Sequence, residues 1–394
     1  MKIEDIFQSY KDYIQPTYTK YPLIAAKGKG SKLWDIHNNV YLDFFPGWGV
    51  CNVGHCHPKV VQAVREQIGK LIFVPNNYYH LNQAKLAKEI VYWAYPAKVF
   101  FCNSGAEANE AAIKLSRKFG QGRYEIITFL DSFHGRTLAA LAATGQKKYQ
   151  AGFEPLPQGF KAVKFNDIEA VKSALTDKTV AIMLELIQGE GGVNVAERDF
   201  VLALRKMCDE KNLLLIIDEV QTGIGRTAKM FCYQHYGIIP DIVTLAKALG
   251  GGLPIGAMLV NNKISNALGP GMHASTFGGG PVICKAAIAV FKAIQKENLL
   301  NNAAKMGEYL FSKLEGLKNK FPSIINDIRG IGLMAGVELS IEGKPIVEES
   351  IKKGLLINCT HDKVLRLMPA LNITKKEIDK AISILGKVFG EYIK

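Results

Sequence analysis

Short, strongly apolar segments alternate with helix-length amphipathic segments through the middle of the chain. The apolar segments cover residues 98–104, 124–130, 179–186, 213–220, 241–246 and 255–260. Strands this apolar are typically buried on both faces, as in a parallel sheet covered by helices. Between them, residues 105–120 and 200–212 carry apolar side chains at the three- and four-residue spacing of helices. The pattern predicts an α/β domain with a mostly parallel, doubly wound sheet.

The pattern changes near residue 283, where one long helical periodicity runs over 283–321. Short apolar segments and a final helical segment over 375–393 follow it, an order that predicts a smaller α+β domain. Residues 32–45 have the pattern of a hairpin that could add strands to this domain. We therefore expect three parts, namely an N-terminal segment (1–57) joining the small domain, a large domain (58–282) and the small domain itself (283–394).

The composition is that of a folded, water-soluble protein, since 48% of the 394 residues are hydrophobic and 22% are charged. No apolar run approaches the roughly 20 residues that span a bilayer, so we expect no membrane partner. The first residues do not resemble a secretory signal, because they include acidic side chains and no long apolar core. The net charge of +13 comes mostly from dispersed lysines, which favours a solvated surface over nucleic-acid binding.

Seven cysteines are scattered along the chain without the Cys-x-x-Cys spacing of zinc ribbons. His55 and His57 flank Cys56, which suggests a metal site, but no second ligand cluster accompanies them. We therefore expect no metal. Reduced thiols fit a cytoplasmic location.

An apolar strand pattern ends in two carboxylates, Asp218 and Glu219, with Gln221 close behind them. Ligands of open α/β sheets bind beyond the carboxyl ends of the strands, so these residues are candidate ligand contacts. Ordinary polar capping of a buried strand is the alternative.

The residues that follow, 223–228, match the glycine pattern of dinucleotide-binding turns. In such turns a helix begins at the glycines and its amide groups hold a pyrophosphate. Here no apolar helix of the right length follows, and no acidic residue ends a second strand about 20 residues later. The pattern disfavours a nicotinamide dehydrogenase.

Two other segments carry candidate chemistry. Lys247 follows the apolar run 241–246 and precedes three glycines at 250–252. Desolvation lowers the pKa of a lysine and frees its amine for Schiff-base chemistry, although most lysines lie on the surface. The turn Ser104–Ala106 lies between a strand and a helix, where amide groups and the helix dipole favour a phosphate. A phosphate site, a carboxylate and a desolvated lysine together indicate pyridoxal 5'-phosphate.

Ordered sequence blocks extend this hypothesis over residues 18–387. They are YLDF…GHCHP (41–58), NSGAEANEAAIK (103–114), SFHGRT (132–137), ELIQGEGG (185–192), IIDEVQTGIGRT (216–227), LAKALGGGLPIGA (245–257), STFGGGP (275–281) and LRLMP (365–369). With these blocks the chain resembles the class III, ornithine-type aminotransferases of the fold-type I pyridoxal-phosphate superfamily. Its closest resemblance is to their acetylornithine branch.

The resemblance implies a role for each matching residue of the cofactor site. Lys247 forms the Schiff base and shuttles the proton, while Asp218 pairs with the pyridine nitrogen. Phe133 stacks on the ring. Gln221 lies near the ring hydroxyl, and Glu219 and Val220 belong to the same cofactor-binding segment.

The phosphate contacts and the assembly also follow from the resemblance. Ser104, Gly105 and Ala106 hold the phosphate, and Thr276 reaches it from a neighbouring subunit, with Ser275 beside the substrate. The resemblance therefore implies a homodimer with shared active sites.

Arg136 and Arg366 are the carboxylate-binding residues that the resemblance implies, and guanidinium groups suit that role. Glu190 of the QGEG segment is expected to neutralise Arg366 while an ω-amino donor is bound. Glutamate and 2-oxoglutarate, which have two carboxylates, need both arginines. Surface arginines are the alternative.

The resemblance implies transfer of the ω-amino group of N-acetylornithine to 2-oxoglutarate in arginine biosynthesis. Trp48 and Gly280 depart from the family pattern, and Trp48 lies in the expected donor pocket. The alternatives are therefore a donor such as ornithine, succinylornithine, N-succinyl-diaminopimelate or 4-aminobutyrate. A pyridoxal-phosphate mutase or decarboxylase, or a basic nucleic-acid-binding protein, are the more distant alternatives.

Overall fold

The computed structural model describes residues 3–392. Its strands are β1 (Ala25–Lys29), β2 (Lys32–Asp35), β3 (Val40–Asp43), β4 (Ala97–Cys102), β5 (Glu125–Phe129), β6 (Phe160–Val163), β7 (Thr179–Leu184), β8 (Ile187–Gln188), β9 (Asn194–Val195), β10 (Leu214–Asp218), β11 (Ile242–Leu245), β12 (Gly256–Asn261), β13 (Ile325–Ile331), β14 (Met334–Leu339), β15 (Leu355–Leu356), β16 (Asn358–Thr360) and β17 (Val364–Leu367). Its α-helices are α1 (Ile3–Tyr13), α2 (Pro58–Ile68), α3 (Leu81–Trp93), α4 (Gly105–Phe119), α5 (Leu138–Ala143), α6 (Lys147–Gln150), α7 (Ile168–Ala174), α8 (Arg198–Lys211), α9 (Pro281–Lys296), α10 (Leu299–Lys320), α11 (Gly343–Lys352) and α12 (Lys375–Glu391).

The central sheet has seven strands in the order β4-β12-β11-β10-β7-β5-β6. Strand β12 is antiparallel to both of its neighbours, and the pairs among β11, β10, β7, β5 and β6 are parallel. All six segments predicted as apolar strands lie in this sheet, so the mostly parallel α/β prediction is confirmed. The edge strand β6 was not predicted from the sequence.

Both faces of this sheet are buried, which explains why its strands are so apolar. Met183 and Ile216 belong to a cluster with Ile113 of α4. Their strand neighbours Ile182 and Leu215 point the other way, into a cluster with Leu204 of α8. Successive side chains of a strand face opposite sides, so a sheet covered by helices on both sides needs apolar residues at every position.

Three further sheets accompany the central one, and the smallest consists of β8 and β9 alone. Strands β13, β14, β17 and β16 form an antiparallel sheet from the C-terminal part. The predicted hairpin forms β2 and β3, and β3 pairs in parallel with the C-terminal strand β15. The domain boundaries at 57/58 and 282/283 stay a prediction.

The predicted single helix over 283–321 is wrong. Two helices, α9 and α10, meet at Glu297 and Asn298, and Asn298 has a left-handed backbone with φ of 51°. Asparagine adopts this conformation more readily than most residues and is a common helix terminator. The apolar periodicity continues across the break because both helices pack on the same core.

The two histidines of GHCHP interact with different carboxylates. His55 Nε2 lies 2.7 Å from Asp43 Oδ2, and His57 Nε2 lies 3.2 Å from Glu297 Oε2. Cys56 is exposed between them. Within residues 3–392, no group of three or more His, Cys, Asp or Glu side chains is arranged to hold a metal ion. In the same part of the chain, no helix has both the length and the apolar character needed to cross a membrane.

Parallel strands bring the ends of separate sequence segments to one edge of the central sheet. Strand β10 ends at Asp218, β11 ends two residues before Lys247, and β7 ends directly before Glu185. Strand β4 ends two residues before Ser104, the N-cap of α4. This edge is where open α/β sheets bind ligands.

The ion pair between His55 and Asp43 predicts a pH dependence of stability. Burial opposes protonation of His55, but its hydrogen bonds to Asp43 and Cys51 raise its pKa from 6.5 to about 10. The pair therefore stabilises the fold fully below pH 6.5, and this stabilisation is lost as the pH rises towards 10.

We expect His55→Asn to lower the free energy of unfolding by roughly 1–3 kcal/mol at about pH 6 and by much less at about pH 10. Urea unfolding of both proteins across this range measures the difference. A difference that does not change with pH would show that His55 carries no charge in the native state.

Candidate active site

A cavity of about 510 Å³ lies at the carboxyl edge of the central sheet. Ten of the fourteen residues predicted from the sequence line it. They are Ser104, Gly105, Ala106, Phe133, Arg136, Glu190, Asp218, Val220, Gln221 and Lys247. Residues that lie up to 143 positions apart in the sequence thus share one cavity, because the parallel strands and their loops end at the same edge.

Asp218 is the buried carboxylate of the cavity. Its Oδ2 accepts hydrogen bonds from Asn109 Nδ2 and from His134 Nδ1, both at 2.8 Å, and Oδ1 accepts one from the Val220 amide at 3.0 Å. Donors on both oxygens hold the side chain in one orientation. The carboxylate is therefore fixed in position in the wall of the cavity.

The turn predicted to bind a phosphate lies at the start of α4. Ser104 is the N-cap, and its Oγ accepts a hydrogen bond from the Glu107 amide at 3.2 Å. The first amide groups of any helix have no partner within the helix, and here Gly105 and Ala106 line the cavity. A Cβ on Gly105 would lie 2.8 Å from Val220 Cγ1, so only glycine fits this close approach. The turn offers amide donors and a positive helix end to an anion.

Lys247 lies in the wall of the cavity at the end of β11. Its backbone has a φ of 40°, which is unusual for a residue with a side chain and is typical of strained functional sites. Burial lowers its pKa below the ordinary value for lysine, although the carboxylate of Glu190 opposes this shift. The predicted desolvation is therefore present, and it makes the neutral amine more accessible.

Arg366 is a fully buried cation on β17. Its Nη1 lies 2.8 Å from Glu190 Oε1, and the same nitrogen donates to the Gly189 carbonyl at 2.8 Å and to Gln221 Oε1 at 3.1 Å. Its Nη2 donates to Asn358 Oδ1 at 2.8 Å. These acceptors compensate for the cost of burying the charge.

Glu190 is the counterion of this arginine. Burial alone would raise the pKa of Glu190, but the nearby cations of Arg366 and Lys247 lower it below its ordinary value. Glu190 is thus ionised while it covers Arg366 on the cavity side.

Arg136, in contrast, is exposed. Its guanidinium lies 4.1 Å from the centre of the Tyr149 ring and 5.4 Å from that of Phe133, and it forms no ion pair with any residue between 3 and 392. Of the two predicted carboxylate-binding arginines, one is therefore open and the other is covered.

Four of the predicted residues do not line this cavity. Arg366 reaches it through Glu190. Glu219 points away from it and accepts hydrogen bonds from Thr222 Oγ1 at 2.7 Å and the Tyr233 amide at 2.8 Å. Ser275 Oγ accepts one from Asn103 Nδ2 at 3.1 Å, and Thr276 is exposed on the same loop. The cofactor and substrate roles of Glu219, Ser275 and Thr276 stay predictions.

Four polar residues of the cavity were not among the predicted site residues, namely Asn103, which directly precedes the Ser104 turn, and Asn109, His134 and Glu185. Glu185 directly follows β7, so the argument applied to Asp218 could have found it. Asn109 lies one helical turn after Gly105 on α4, on the same face. His134 lies within the SFHGRT block, but no local pattern shows that its ring turns towards Asp218.

The two departures from the family pattern lie in different surroundings. Trp48 is half exposed and packs edge to face on Phe45, with ring centres 5.7 Å apart. This small cluster lies close to the Arg366–Glu190 pair, since the Arg366 guanidinium lies 4.7 Å from the centre of the Phe45 ring. Gly280 is the N-cap of α9 and does not line the cavity.

Comparisons with known proteins identify the family. The family model "Aminotransferase class-III" matches residues 13–389. An acetylornithine aminotransferase of Methanocaldococcus jannaschii is 50% identical over 396 residues, with 99% of each chain covered. One of Caldanaerobacter subterraneus is 51% identical, with 97% of this chain and 98% of the relative covered.

Solved structures show the same fold. The ornithine aminotransferase of Toxoplasma gondii superimposes with a TM-score of 0.95 at 32% identity, covering 100% of this chain and 96% of that one. The acetylornithine aminotransferase of Elizabethkingia anophelis superimposes with a TM-score of 0.88 at 31% identity, covering 99% and 100%.

The cavity fits the cofactor of this family. The amide turn at Gly105 suits a phosphate, the fixed carboxylate of Asp218 suits a ring nitrogen, and Lys247 supplies a desolvated amine. His134 Nε2 is buried without a hydrogen-bond partner, which is unusual unless a bound molecule or ion changes its environment. Because the family model covers nearly the whole chain and the relatives match it end to end, this protein belongs to the class III aminotransferases, which use pyridoxal 5'-phosphate.

Proposed function

We propose that this aminotransferase moves the ω-amino group of N-acetylornithine to 2-oxoglutarate, giving N-acetylglutamate semialdehyde and glutamate, in arginine biosynthesis. The observation that carries the proposal is the pair of unequal arginines, with Arg136 open and Arg366 covered by Glu190. The relatives from Methanocaldococcus jannaschii and Caldanaerobacter subterraneus, both called acetylornithine aminotransferase, support the same donor.

Each part of the cavity supports one task in holding the cofactor. The Ser104–Ala106 turn would bind the phosphate, Asp218 the ring nitrogen and Phe133 one face of the ring. Pyridoxal phosphate supplies an aldehyde that condenses with amines and a ring that withdraws electrons from the bond being broken. Asn109 and His134 keep the Asp218 carboxylate oriented, so that it would face the ring nitrogen of the bound cofactor.

Lys247 is the proposed catalytic base. Burial lowers the pKa of its amine, so a larger fraction is neutral near physiological pH than for a surface lysine. The neutral Nζ of Lys247 can accept the proton that leaves the donor carbon. The protonated Nζ can then donate the same proton again later in the half-reaction.

The two arginines explain how one site can accept two kinds of substrate. An N-acyl ω-amino donor has one carboxylate, which Arg136 can bind while Glu190 covers Arg366. 2-Oxoglutarate and glutamate carry a second carboxylate, which needs Arg366 uncovered. Because Glu190 is tied to Arg366 by one ion pair at 2.8 Å, displacement of a single side chain changes the specificity of the site.

We propose that the protein works in the cytoplasm, without nucleic-acid or membrane partners. All seven cysteines are free thiols, as expected in a reducing compartment. Its partners are then its small-molecule substrates and a second copy of the chain.

The proposed homodimer is supported by an exposed apolar surface beside Thr276. We call this surface the 68–73 patch, and it contains Ile68, Leu71, Ile72 and Phe73. Phe73 packs against the exposed Phe277, with ring centres 5.4 Å apart, and Asn76 Nδ2 donates to the Ser275 carbonyl at 3.0 Å. Contiguous exposed apolar residues mark protein interfaces, and this one would bring Thr276 to a partner's phosphate turn.

A donor panel tests the reaction. The cofactor-loaded enzyme should react with N-acetylornithine faster than with ornithine, succinylornithine, N-succinyl-diaminopimelate or 4-aminobutyrate, with 2-oxoglutarate as acceptor. Stopped-flow absorbance of the bound cofactor measures each donor separately. Lys247→Ala is the control and should show no turnover with any donor. A donor that reacts faster than N-acetylornithine would replace it in the proposal.

The arginine pair predicts a split between the half-reactions. Loss of a buried charge-assisted contact costs about 2–5 kcal/mol, so Arg366→Ala should lower kcat/KM for 2-oxoglutarate roughly 30-fold or more. Arg366→Ala should lower kcat/KM for the amine donor far less. Arg136→Ala should impair both half-reactions. Single-turnover rates with each substrate measure the split. Equal losses in both half-reactions of Arg366→Ala would contradict the division of roles.

The 68–73 patch predicts the state of association. The purified protein should have about twice the 43.4 kDa mass of one chain by light scattering. Ile72→Asp should shift it towards monomer and reduce activity. Ile239→Asp is the matched control, because Ile239 is also an exposed isoleucine, 57% against 66% for Ile72. A monomeric wild type, or equal dissociation by both variants, would rule out this interface.

A further inference from the structure

Glu185 is a buried carboxylate in the cavity wall that the proposed chemistry does not use. It follows the last residue of β7, and its two oxygens accept hydrogen bonds from two different loops. Oε2 accepts from the Phe133 amide at 2.8 Å, and Oε1 accepts from the Gly189 amide at 3.2 Å. One side chain thus connects the loop that carries the ring-stacking residue with the loop that carries Glu190.

The Gly189–Glu190 segment is held from its other side by the small domain. The Gly189 carbonyl accepts a hydrogen bond from Arg366, and the Glu190 carbonyl accepts one from Thr360 Oγ1 at 2.5 Å. No side chain fits at Gly189, because a Cβ there would collide with Gln221 Oε1. The segment therefore lies between Glu185 of the large sheet and Arg366 of the small one.

A carboxylate is required for this arrangement. It can accept on both oxygens, whereas the amide of a glutamine offers one accepting oxygen and an NH₂ group that cannot accept. In a Glu185→Gln variant one of the two backbone amides loses its partner inside the protein, which is costly at a buried site. The affected loop can then move away from its position.

We propose that Glu185 is a positioning residue that holds Glu190 on Arg366 and so sets the preference of the site for substrates with one or two carboxylates. The inference rests on the proposed function, because it assigns Glu190 and Arg366 the role of a specificity gate. Glu185 acts through Glu190 and touches neither arginine in this arrangement.

A buried carboxylate on the neighbouring strand provides a matched control. Glu219 directly follows β10, as Glu185 directly follows β7. Burial raises the pKa of each carboxyl group to about 7. Glu219 also accepts a backbone amide hydrogen bond, from Tyr233, but it points away from the cavity. Glu219→Gln therefore removes the same type of group without touching the Glu190 segment.

The test is the binding of unreactive acids to the cofactor-loaded enzyme by calorimetry, at about pH 8 where both carboxylates are mostly ionised. Glutarate is the probe with two carboxylates and pentanoate the probe with one. Glu190→Ala should tighten glutarate binding about 10-fold, because Arg366 no longer has to be uncovered. Glu185→Gln should tighten it about 3-fold, and neither variant should change pentanoate binding. Glu219→Gln should change neither probe.

The double variant decides whether Glu185 acts through Glu190. If it does, Glu185→Gln in the Glu190→Ala background should cause no further change in glutarate binding, because the coupled residues are not additive. Glu185→Asp, which is too short to reach both amides, should behave as Glu185→Gln does and covers the case in which that variant fails to fold.

The possible failures are distinguishable. An unchanged glutarate affinity in Glu185→Gln, with a clear change in Glu190→Ala, overturns the role of Glu185 and leaves the gate intact. A full effect of Glu185→Gln in the Glu190→Ala background also overturns it. An unchanged affinity in Glu190→Ala removes the gate and the inference together, whereas the donor panel tests the proposed reaction separately.

Discussion

Burial of both faces of the central sheet is the constraint on which the active site depends. With helices on each side, the strands have no face on which polar side chains could reach water, and residues 179–184 of β7 are all buried. In the inner strands β12, β11, β10, β7 and β5, charged residues therefore stand only at strand ends, as Asp218 does in β10. The parallel strands end at one edge of the sheet. Asp218, Lys247 and Glu185 therefore come together there although they are far apart in the sequence.

The charges collected at this edge stabilise one another. Arg366 is fully buried, yet it has Glu190 as counterion and three neutral oxygens as acceptors. Asp218 receives donors on both oxygens, and Lys247 lies near carboxylates on more than one side. Removing one partner from such a group leaves a buried charge without compensation, which costs several kcal/mol in general. The low dielectric constant that makes an unpaired buried charge costly also strengthens the electrostatic interactions between the site and a bound substrate.

The Arg366–Glu190 pair also links the two sheets functionally. Arg366 lies on β17 of the C-terminal sheet, whereas Glu190 follows β7 of the central sheet. The position of Glu190 in the cavity wall therefore depends on the packing of the C-terminal sheet, which supplies its partner Arg366. A substrate that displaces Glu190 breaks a contact between the central sheet and the C-terminal sheet. The substrate specificity of the site is therefore coupled to the packing of these two sheets.

Most of the fold and the main cavity residues could be predicted from the sequence, because burial, turns and desolvation each leave a pattern in neighbouring residues. Apolar runs marked the six strands, the turn at Ser104 marked a helix start, and the position of Lys247 between apolar residues marked desolvation.

The break at Asn298 was missed because both helices bury the same face, so the periodicity shows no interruption. Asn109, His134 and Glu185 were missed as site residues because their roles depend on partners about 50 to 110 residues away. Local sequence patterns were thus enough to identify the apolar strands, the turns and the chemical groups of the site, and the resemblance implied that Glu190 neutralises Arg366. The full burial of Arg366 and the exposure of Arg136 followed only from the three-dimensional packing, because they depend on where the C-terminal sheet packs against the loop that carries Glu190.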